Sequence, residues 1–258
     1  MKHAVLMYHA IGAPELVDGA DPHYSITVDA FGEHLKRLKK RGLQVCSVRD
    51  AVAGDAMGKH IVACTFDDGH ISNYEYAFPA LLANGMAADF FINPTTVGKK
   101  NYVTWSALRE MDKAGMSIQS HSYTHRYLEE LNQEEIHNEL AKSKAVIEDK
   151  IGSPVTVFAP PGGRINSTVH RLARAVGYKT VCVSRPGRWQ VGRVTVPRFA
   201  VLESTTPETV ESWAEGSTFA TGRQVTGYWV RYVAKKVLGN ELYDRVRERI
   251  LKSQERGI

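Results

Sequence analysis

Hydrophobic and polar positions along most of the chain form two kinds of segment. Short runs that are almost wholly apolar, such as residues 60–66, are typical of strands buried on both faces. Between such runs lie longer segments whose apolar positions recur every three or four residues, as Phe31, Leu35 and Leu38 do. Because strands that alternate with helices form parallel βα units, the pattern predicts an α/β fold.

The predicted strands and helices alternate almost regularly along the chain. Six or more βα units in one chain favour a closed or nearly closed barrel, and a doubly wound open sheet is the alternative. The composition changes near Gly222, so residues 1–222 are predicted to form one domain and residues 223–258 a tail. The predicted strands cover residues 4–9, 60–66, 88–92, 116–120, 155–159, 179–183 and 194–202, and the predicted helices cover residues 31–41, 73–84, 104–114, 132–150, 165–176 and 207–214.

Composition narrows the classes of protein that fit. The 258 residues are 43% hydrophobic and 24% charged, which excludes global disorder, and no apolar run approaches the roughly 18 residues of a membrane-spanning helix. The cysteines Cys46, Cys64 and Cys182 lie far apart, so neither a disulfide framework nor a cysteine zinc site is expected. Residues 1–9 lack the apolar core of a secretory signal, so the expected location is the cytoplasm.

The positive charge is concentrated near the C-terminal end. The net charge is +5, and residues 228–258 hold eight Lys/Arg against four Asp/Glu, which leaves the body near neutral. A near-neutral body without a recognition motif argues against a nucleic-acid partner. Apolar residues at helical spacing, with a break at Gly239-Asn240, predict a basic amphipathic helical tail. Its role stays open between helices packed on the body and an interfacial anchor that binds anionic lipid at the inner face of the membrane.

Two adjacent carboxylates follow the second predicted strand, where residues 65–69 read Thr-Phe-Asp-Asp-Gly. Successive strand residues point to opposite faces, so in a regular strand one of Asp67 and Asp68 would be buried at high cost. At a junction between strand and loop, both carboxylates can face one cavity, where one binds a cation and the other transfers a proton. An Asp-Gly turn that caps a helix is the alternative.

A pair of histidines follows the fourth predicted strand, where residues 121–125 read His-Ser-Tyr-Thr-His. Two histidines four residues apart in a helical turn point the same way, which is a common geometry for two imidazoles on one metal. With an aspartate they would leave positions open for water and substrate, as catalytic metal sites do. His121 and His125 are therefore candidate metal ligands.

A loop rich in proline and glycine follows the fifth predicted strand, where residues 158–164 read Phe-Ala-Pro-Pro-Gly-Gly-Arg. Prolines make such a loop rigid, and glycines let its backbone approach a ligand closely. The N–H groups of Gly162 and Gly163 could stabilise an oxyanion, and an ordinary turn is the alternative.

The three motifs in this order resemble the signature of polysaccharide deacetylases, the NodB-homology family also called carbohydrate esterase family 4. The resemblance covers residues 3–202. It implies a deformed (β/α)7-type TIM-like barrel, here with a C-terminal helical extension. It also implies hydrolysis of acetyl groups on sugars with a divalent metal, usually Zn²⁺, with Co²⁺, Ni²⁺ and Mn²⁺ as further candidates. By position, Asp67 resembles the general base, and Asp68, His121 and His125 resemble the metal ligands.

Two departures from the family pattern concern the base and the acid. The family's third motif commonly reads Arg-Pro-Pro-Tyr-Gly, whereas Ala159 stands in place of its Arg and Gly162 in place of its Tyr. That Arg usually tethers the base, and Arg164 or Arg198 could substitute, while Gly162 retains the backbone N–H expected of the Tyr. The late Leu-x-His motif that supplies the general acid is absent, since His170 is the last histidine.

A replacement for the acid is found near the start of the chain. Residues 7–9 read Met-Tyr-His and end the first predicted strand, at the barrel rim where the metal ligands are expected. They resemble rearranged family members with an N-terminal Tyr-His, which assigns His9 as the general acid, with a capping role for His9, or His70 as the acid, as alternatives. The residues predicted to line the substrate pocket are Tyr8, Pro160, Pro161 and Trp189. A core position is the alternative for Trp189.

The expected activity is metal-dependent removal of an N-acetyl group from an amino sugar. A lipid-linked or oligosaccharide intermediate of glycan biosynthesis is the expected substrate, and an anionic membrane surface is the expected second partner through the tail. The motifs leave open a deformylase or another linear or cyclic amide hydrolase on the same barrel. A non-catalytic carbohydrate-binding or assembly protein would lack one of Asp67, Asp68, His121 and His125, and all four are present.

Overall fold

The computed structural model describes residues 2–13, 17–54 and 60–238, the last eight for their backbone alone. Its named strands pair in parallel, and helices supply the crossovers that parallel pairing requires. The strands are β1 (Ala4–Tyr8), β2 (Gln44–Cys46), β3 (Ile61–Phe66), β4 (Asp89–Ile92), β5 (Ser117–Ser120), β6 (Val157–Phe158), β7 (Thr180–Val183), β8 (Thr195–Pro197) and β9 (Phe199–Ala200). The helices are α1 (Val28–Lys40), α2 (Val48–Ala53), α3 (Phe78–Ala83), α4 (Trp105–Lys113), α5 (Gln133–Ile151), α6 (Ser167–Val176), α7 (Pro207–Glu215) and α8 (Thr218–Leu238).

A kinked segment closes the barrel. The sheet runs from β7 through β6, β5, β4 and β3 to β1, while β2 lies beside β3 off this path. β8 pairs with β7, and β9 pairs with β1. Only Arg198 separates β8 from β9, so the two short strands occupy one position in the barrel wall. The predicted TIM-like barrel of seven strand positions is thereby confirmed.

Alternation along the strands separates an inner from an outer core. On β1, Ala4, Leu6 and Tyr8 pack with residues of the surrounding helices, whereas Val5 packs with residues of other strands inside the barrel. Because both faces of β1 are buried, its sequence is a continuous apolar run. The same alternation decides which side chains at the strand ends can reach the barrel mouth.

Two short elements lack a sequence signal. β2 has three residues and α2 has six, too few to show a period of either kind. One local and one long-range bond support them: Ser47 caps α2 by accepting from the N–H of Asp50, and the distant carboxylate of Asp89 accepts from the N–H of Val48 at 2.5 Å. The pattern of residues 44–53 therefore did not predict this strand and helix.

Helix α8 runs through the residue at which the tail was predicted to begin. It starts at Thr218, before Gly222, and packs on α7, where the indole N–H of Trp213 donates to the carbonyl of Ala220 at 3.4 Å. The predicted break at Gly239-Asn240 and the second predicted tail helix lie outside the described residues. Across the described ranges, no helix combines the length and the apolar character needed to cross a membrane.

Candidate active site

Asp67 is held by an arginine inside the barrel. Nη1 and Nη2 of Arg198 donate to Oδ1 and Oδ2 of Asp67 at 2.6 and 2.8 Å, and Nη1 also donates to Oγ1 of Thr65 at 3.2 Å. The Arg198 side chain is fully buried, and its guanidinium carbon lies 5.4 Å from the ring centroid of Phe91. This bidentate pair fixes the orientation of the Asp67 carboxylate.

The surroundings of Asp67 favour its ionised form. Burial raises the pKa of this carboxyl. The positive charges of Arg198, His121 and His9 and the hydrogen bonds from Arg198 lower the pKa by more than burial raises it, so the pKa lies below the ordinary value. The carboxylate is therefore ionised at neutral pH and available to accept a proton.

The structure separates the two arginines that were candidates for the tether. Arg164 contacts Tyr127, with its guanidinium 4.2 Å from the ring centroid. Its Nη1 is 3.8 Å from Glu129 and 3.6 Å from Glu130. Arg198 is the arginine that contacts Asp67.

Asp68, His121 and His125 converge at the C-terminal ends of β3 and β5. Oδ1 of Asp68 lies 3.3 Å from Nε2 of His121 and 3.2 Å from Nε2 of His125. All three ligand atoms lie within 4.8 Å of one another. Ligand atoms about 2.0–2.1 Å from a tetrahedral ion are about 3.3 Å apart, so these residues fit a Zn²⁺-type ion that has a further position open.

Hydrogen bonding sets the tautomer of His121. Nδ1 of this buried ring lies 2.7 Å from the carbonyl oxygen of Ala159, which can only accept, so Nδ1 carries the proton. In the neutral ring, Nε2 is then the nitrogen with the free lone pair, and it is the nitrogen that lies near Asp68. A backbone carbonyl in this role is the usual support for a histidine that binds a metal.

The backbone that presents these ligands is unusual. Asp68, Ser122 and His125 have φ values of 71°, 65° and 64°, and Asn101 is the only other non-glycine residue in the described ranges with positive φ. Such conformations are unfavourable for side-chain-bearing residues and cluster at functional sites. The prediction that a helical turn brings His121 and His125 together was wrong in its geometry, because residues 121–125 form a loop with two left-handed residues.

A buried carboxylate from α5 holds this loop in place. Oε2 of Glu139 accepts from the N–H groups of Tyr123 and Thr124 at 2.9 and 2.8 Å, and Oε1 accepts from the hydroxyl of Thr124 at 2.5 Å. On the opposite side, the side-chain amide of Asn93 donates to the carbonyl of His121. These bonds offset the unfavourable backbone conformation of residues 121–125.

His9 lies at the same rim of the barrel. It follows Val5 and Met7 on the inward side of the first strand, and its charge lowers the pKa values of both Asp67 and Asp68. Its ring packs against Tyr24, with centroids 4.5 Å apart. Its Nδ1 is buried and has no hydrogen-bond partner among the described residues. The first strand and the segment around Tyr24 thus place one imidazole beside the two carboxylates.

His70 is engaged elsewhere. Its Nδ1 lies 2.8 Å from Oγ of Ser72, and its Nε2 lies 3.2 Å from the carbonyl oxygen of Asp18. Because both ring nitrogens have partners in surrounding loops, His70 fits a structural role better than that of the acid.

The proline–glycine loop lies next to His121, since Ala159, which accepts from His121, immediately precedes it. Pro160 and Pro161 are buried, and Gly162 is exposed with φ 64°. A Cβ added to Gly162 would lie 2.8 Å from Cε1 of Tyr127, so only glycine fits beside this ring. The loop therefore places the exposed backbone of Gly162, which has no side chain, at the rim of the site.

Two residues predicted to line the pocket lie elsewhere, which corrects that prediction. Tyr8 points outward and packs between Phe31 and Phe66, with ring centroids at 5.3 and 5.2 Å. Trp189 is buried at the opposite end of the barrel, where its backbone pairs with His3, just before β1. Alternation turns Tyr8 away from the interior, and the direction of β1 places Trp189 far from the metal ligands.

Comparisons with known proteins agree with this geometry. The sequence profile of polysaccharide deacetylases matches residues 54–181, which contain the carboxylate pair, the histidine pair and the proline–glycine loop. YxkH of Bacillus subtilis is 29% identical over 190 residues, which cover 72% of this chain and 66% of that protein. The structure of Streptococcus pyogenes deacetylase PplD in complex with acetate is 27% identical with a TM-score of 0.73, and the match covers 81% of this chain and 96% of that one. In sequence over residues 54–181 and in fold, the chain is similar to polysaccharide deacetylases.

A second relative has a named substrate. The peptidoglycan-N-acetylglucosamine deacetylase of Bacillus cereus is 34% identical over 122 residues, which cover 47% of this chain and 55% of that protein. The matched regions thus span about two thirds and about half of the two curated relatives' own length.

Some residues of the candidate site had no signal in the sequence. Glu139 lies on a polar helix and resembles its solvent-exposed neighbours, and Tyr24 and Tyr127 lie in loops without a motif. Their roles depend on contacts with residues far away in the chain: Glu139 bonds the loop at Tyr123, Tyr24 packs on His9, and Tyr127 lies beside Gly162. Gly162 could have given a local hint, because a glycine in place of the family's Tyr leaves space that the ring of Tyr127 fills in the structure.

Replacement of Glu139 should weaken metal binding at this site. In Glu139→Gln, one oxygen acceptor becomes an N–H donor that faces the donors of Tyr123 and Thr124, so the loop loses support. We expect the Zn²⁺ affinity to fall about 10–100-fold, as it does when outer partners of metal ligands are removed. Competition with a chromophoric chelator measures the affinity, and Glu134→Gln, at an exposed position on the same helix, is the matched control. An unchanged affinity in Glu139→Gln would show that the loop holds its shape without this carboxylate.

Proposed function

We propose that this protein removes an N-acetyl group from an amino sugar by metal-dependent hydrolysis. The proposal rests on one juxtaposition: the Asp68, His121 and His125 cluster lies beside a carboxylate, Asp67, that a buried arginine holds ionised. Two relatives support the reaction class, since one is named for N-acetylglucosamine deacetylation and the other was solved with acetate, the acid that deacetylation releases.

Zn²⁺ is the proposed ion, with Co²⁺, Ni²⁺ or Mn²⁺ as substitutes, and Asp68, His121 and His125 are its proposed ligands. When bound, a divalent ion supplies Lewis-acid chemistry, in which it polarises a carbonyl and lowers the pKa of a water molecule. Two imidazoles and one carboxylate are a donor set that suits Zn²⁺.

The residues around the ligands have separate proposed tasks. Asp67 accepts the proton of the water that attacks the acetamide carbonyl, and Arg198 keeps its carboxylate oriented. The N–H of Gly162 donates to the oxyanion that forms. His9 then donates a proton to the nitrogen of the leaving amine, so that the C–N bond breaks to give acetate and a free amino sugar.

The acid role of His9 predicts a change in the pH profile. A general acid must be protonated, so turnover falls as the pH rises through its titration. In His9→Ala, we expect kcat to fall about 10²–10⁴-fold and the basic limb of the pH–rate profile to disappear. Tyr24→Phe, which keeps the ring against His9, is the control and should keep that limb. If His9→Ala keeps both its rate and its basic limb, another group is the acid.

We also propose that the substrate is a lipid-linked or oligosaccharide intermediate, met at an anionic membrane surface through α8. Three large apolar side chains on this helix are exposed: Phe219 by 82%, Trp229 by 47% and Val230 by 64%. Phe219 and Val230 are about three turns apart and so share a face. Lys and Arg are frequent from Arg223 onward, as in helices that lie at a lipid interface.

Sedimentation with vesicles tests the membrane part of the proposal. The intact protein should pellet with phosphatidylglycerol-containing vesicles at low salt and less so at high salt, because ionic attraction is screened. Phe219→Ser with Val230→Ser should reduce the pelleted fraction, whereas Leu82→Ser, at an apolar position on α3 that is 52% exposed, should not. If the intact protein does not pellet with these vesicles, α8 is not a lipid anchor. The same holds if analytical ultracentrifugation shows that the protein dimerises through the exposed face of α8.

Acetate release tests the activity itself. The zinc-loaded protein is offered free, nucleotide-linked, lipid-linked and oligomeric N-acetyl sugars, and acetate and new amino groups are measured together. We expect equal amounts of both from at least one N-acetyl sugar. Release of formate from formyl sugars in place of acetate, or no release from any member of the panel, would overturn the proposed function.

A further inference from the structure

We propose that Tyr127 is a stacking platform for a sugar ring of the substrate and that it selects substrates longer than one sugar. The inference rests on the proposed function, because it deepens the specificity of the same site. Tyr127 is 40% exposed, although its neighbour Leu128 is buried in the core. An exposed aromatic ring at the rim of a polar site offers the flat apolar surface on which the C–H face of a pyranose packs.

The ring of Tyr127 is held by its neighbours. The guanidinium of Arg164 lies 4.2 Å from the ring centroid. Arg164 is in turn positioned by Glu129 and Glu130, whose carboxylates lie 3.8 and 3.6 Å from its Nη1. One side of the ring is thus occupied by a stacked cation, and the ring is fixed before a ligand arrives, which lowers the entropy lost on binding.

The ring of Tyr127 lies next to the backbone that is proposed to hold the oxyanion. Its Cε1 is 2.8 Å from where a Cβ of Gly162 would stand, so the ring edge borders the backbone proposed to hold the oxyanion. Two residues earlier in the chain, His125 belongs to the metal cluster. A sugar whose acetamide carbonyl reaches the Gly162 N–H therefore has Tyr127 beside it, where the next sugar of a chain would lie.

The replacement at position 162 explains why the aromatic ring comes from another segment. A side chain on Gly162 and the ring of Tyr127 would occupy the same space. The absence of a side chain on Gly162 thus leaves room for the ring of Tyr127, which Arg164 supports. Substrate selection therefore depends on Tyr127 and on Arg164, which supports its ring.

The test compares substrate length in two variants of the zinc-loaded protein. Tyr127→Ala should raise KM for N-acetylglucosamine oligomers of three or four sugars about tenfold, as expected for the loss of one aromatic contact. Hydrolysis of 4-nitrophenyl acetate should fall far less than that of the oligomers, because that substrate has no second ring to stack. Tyr127→Phe keeps the flat surface and should behave as the unmodified protein on both substrates.

Two further measurements keep the outcome clear. Isothermal titration with a tetramer of glucosamine reports binding without turnover, and Tyr127→Ala should weaken it by the same factor as KM. Arg164→Ala should weaken binding less and should add nothing in the Tyr127→Ala background, since both act through one ring. Loss of ester and oligomer hydrolysis in equal measure, or an unchanged oligomer KM, would overturn the platform. If the unmodified protein binds the oligomer through Tyr127 yet releases no acetate, the proposed function fails while the platform stands.

Discussion

Asp67→Asn should lower kcat by about 10²–10⁴-fold while the protein still binds one metal ion, because it removes the proton acceptor and leaves the ligands in place. The same change leaves Arg198 charged and buried without its counter-charge. Breaking a buried ion pair by removing one partner costs about 3–5 kcal/mol, so the free energy of unfolding should also fall. Steady-state acetate release, metal analysis and urea unfolding measure the three quantities.

A double variant separates the two effects of this substitution. Asp67→Asn with Arg198→Met removes both charges, and a pair replaced by uncharged groups of similar volume is often neutral for stability. We therefore expect the double variant to regain stability but not turnover. If Asp67→Asn keeps turnover within tenfold of the unmodified protein, the base is a different group. If the double variant regains turnover, the loss in the single variant was one of folding.

Loss of either histidine ligand should empty the metal site. Two remaining ligands hold a divalent ion far more weakly than three, so His125→Ala and His121→Ala should retain little metal after dialysis and lose activity with it. His125 gives the cleaner test, because its side chain is 44% exposed, whereas that of His121 is 3% exposed and bonded to Ala159. Elemental analysis of the dialysed protein gives the metal content per chain.

The control for the ligand test is another histidine of the same chain. His137 is exposed on α5, outside the cluster, and His137→Ala should keep both metal and activity. The unmodified protein should lose activity to a chelator and regain it with Zn²⁺ or Co²⁺. Full occupancy in His125→Ala would contradict the assignment of the ligands, whatever its activity.

The repeating parts of the fold were predictable from the sequence because their signals are local. β1, β3 and β7 bury both faces, so they read as largely apolar runs, and the helices α1, α4 and α6 each show one apolar stripe. The helix predicted at residues 104–114 is observed as Trp105–Lys113, and the strand predicted at 194–202 appears as β8 and β9. β2 and α2 were missed, since three and six residues carry no period and their supporting contacts are distant.

The candidate site was predictable only where residue types stand close together in the chain. The Asp67-Asp68 pair and the two histidines were visible as motifs, although the loop conformation of residues 121–125 was not. The choice between Arg164 and Arg198 required the fold, because sequence separation does not show which arginine enters the barrel. Glu139 was invisible for the same reason, since its role is set by packing between α5 and a loop.

Barrel closure at Arg198 also sets an order of events during synthesis. β1 leaves the ribosome first, but its partner β9 and the arginine beside it follow near residue 200. At about 5–20 residues per second, this interval lasts roughly 10–40 s. Until then, a nascent chain carries Asp67 without its counter-charge and one edge of β1 without its strand. The Asp67–Arg198 pair is therefore completed by the same segment that completes the barrel wall, and a growing chain can form this pair only when its last barrel strand has been made.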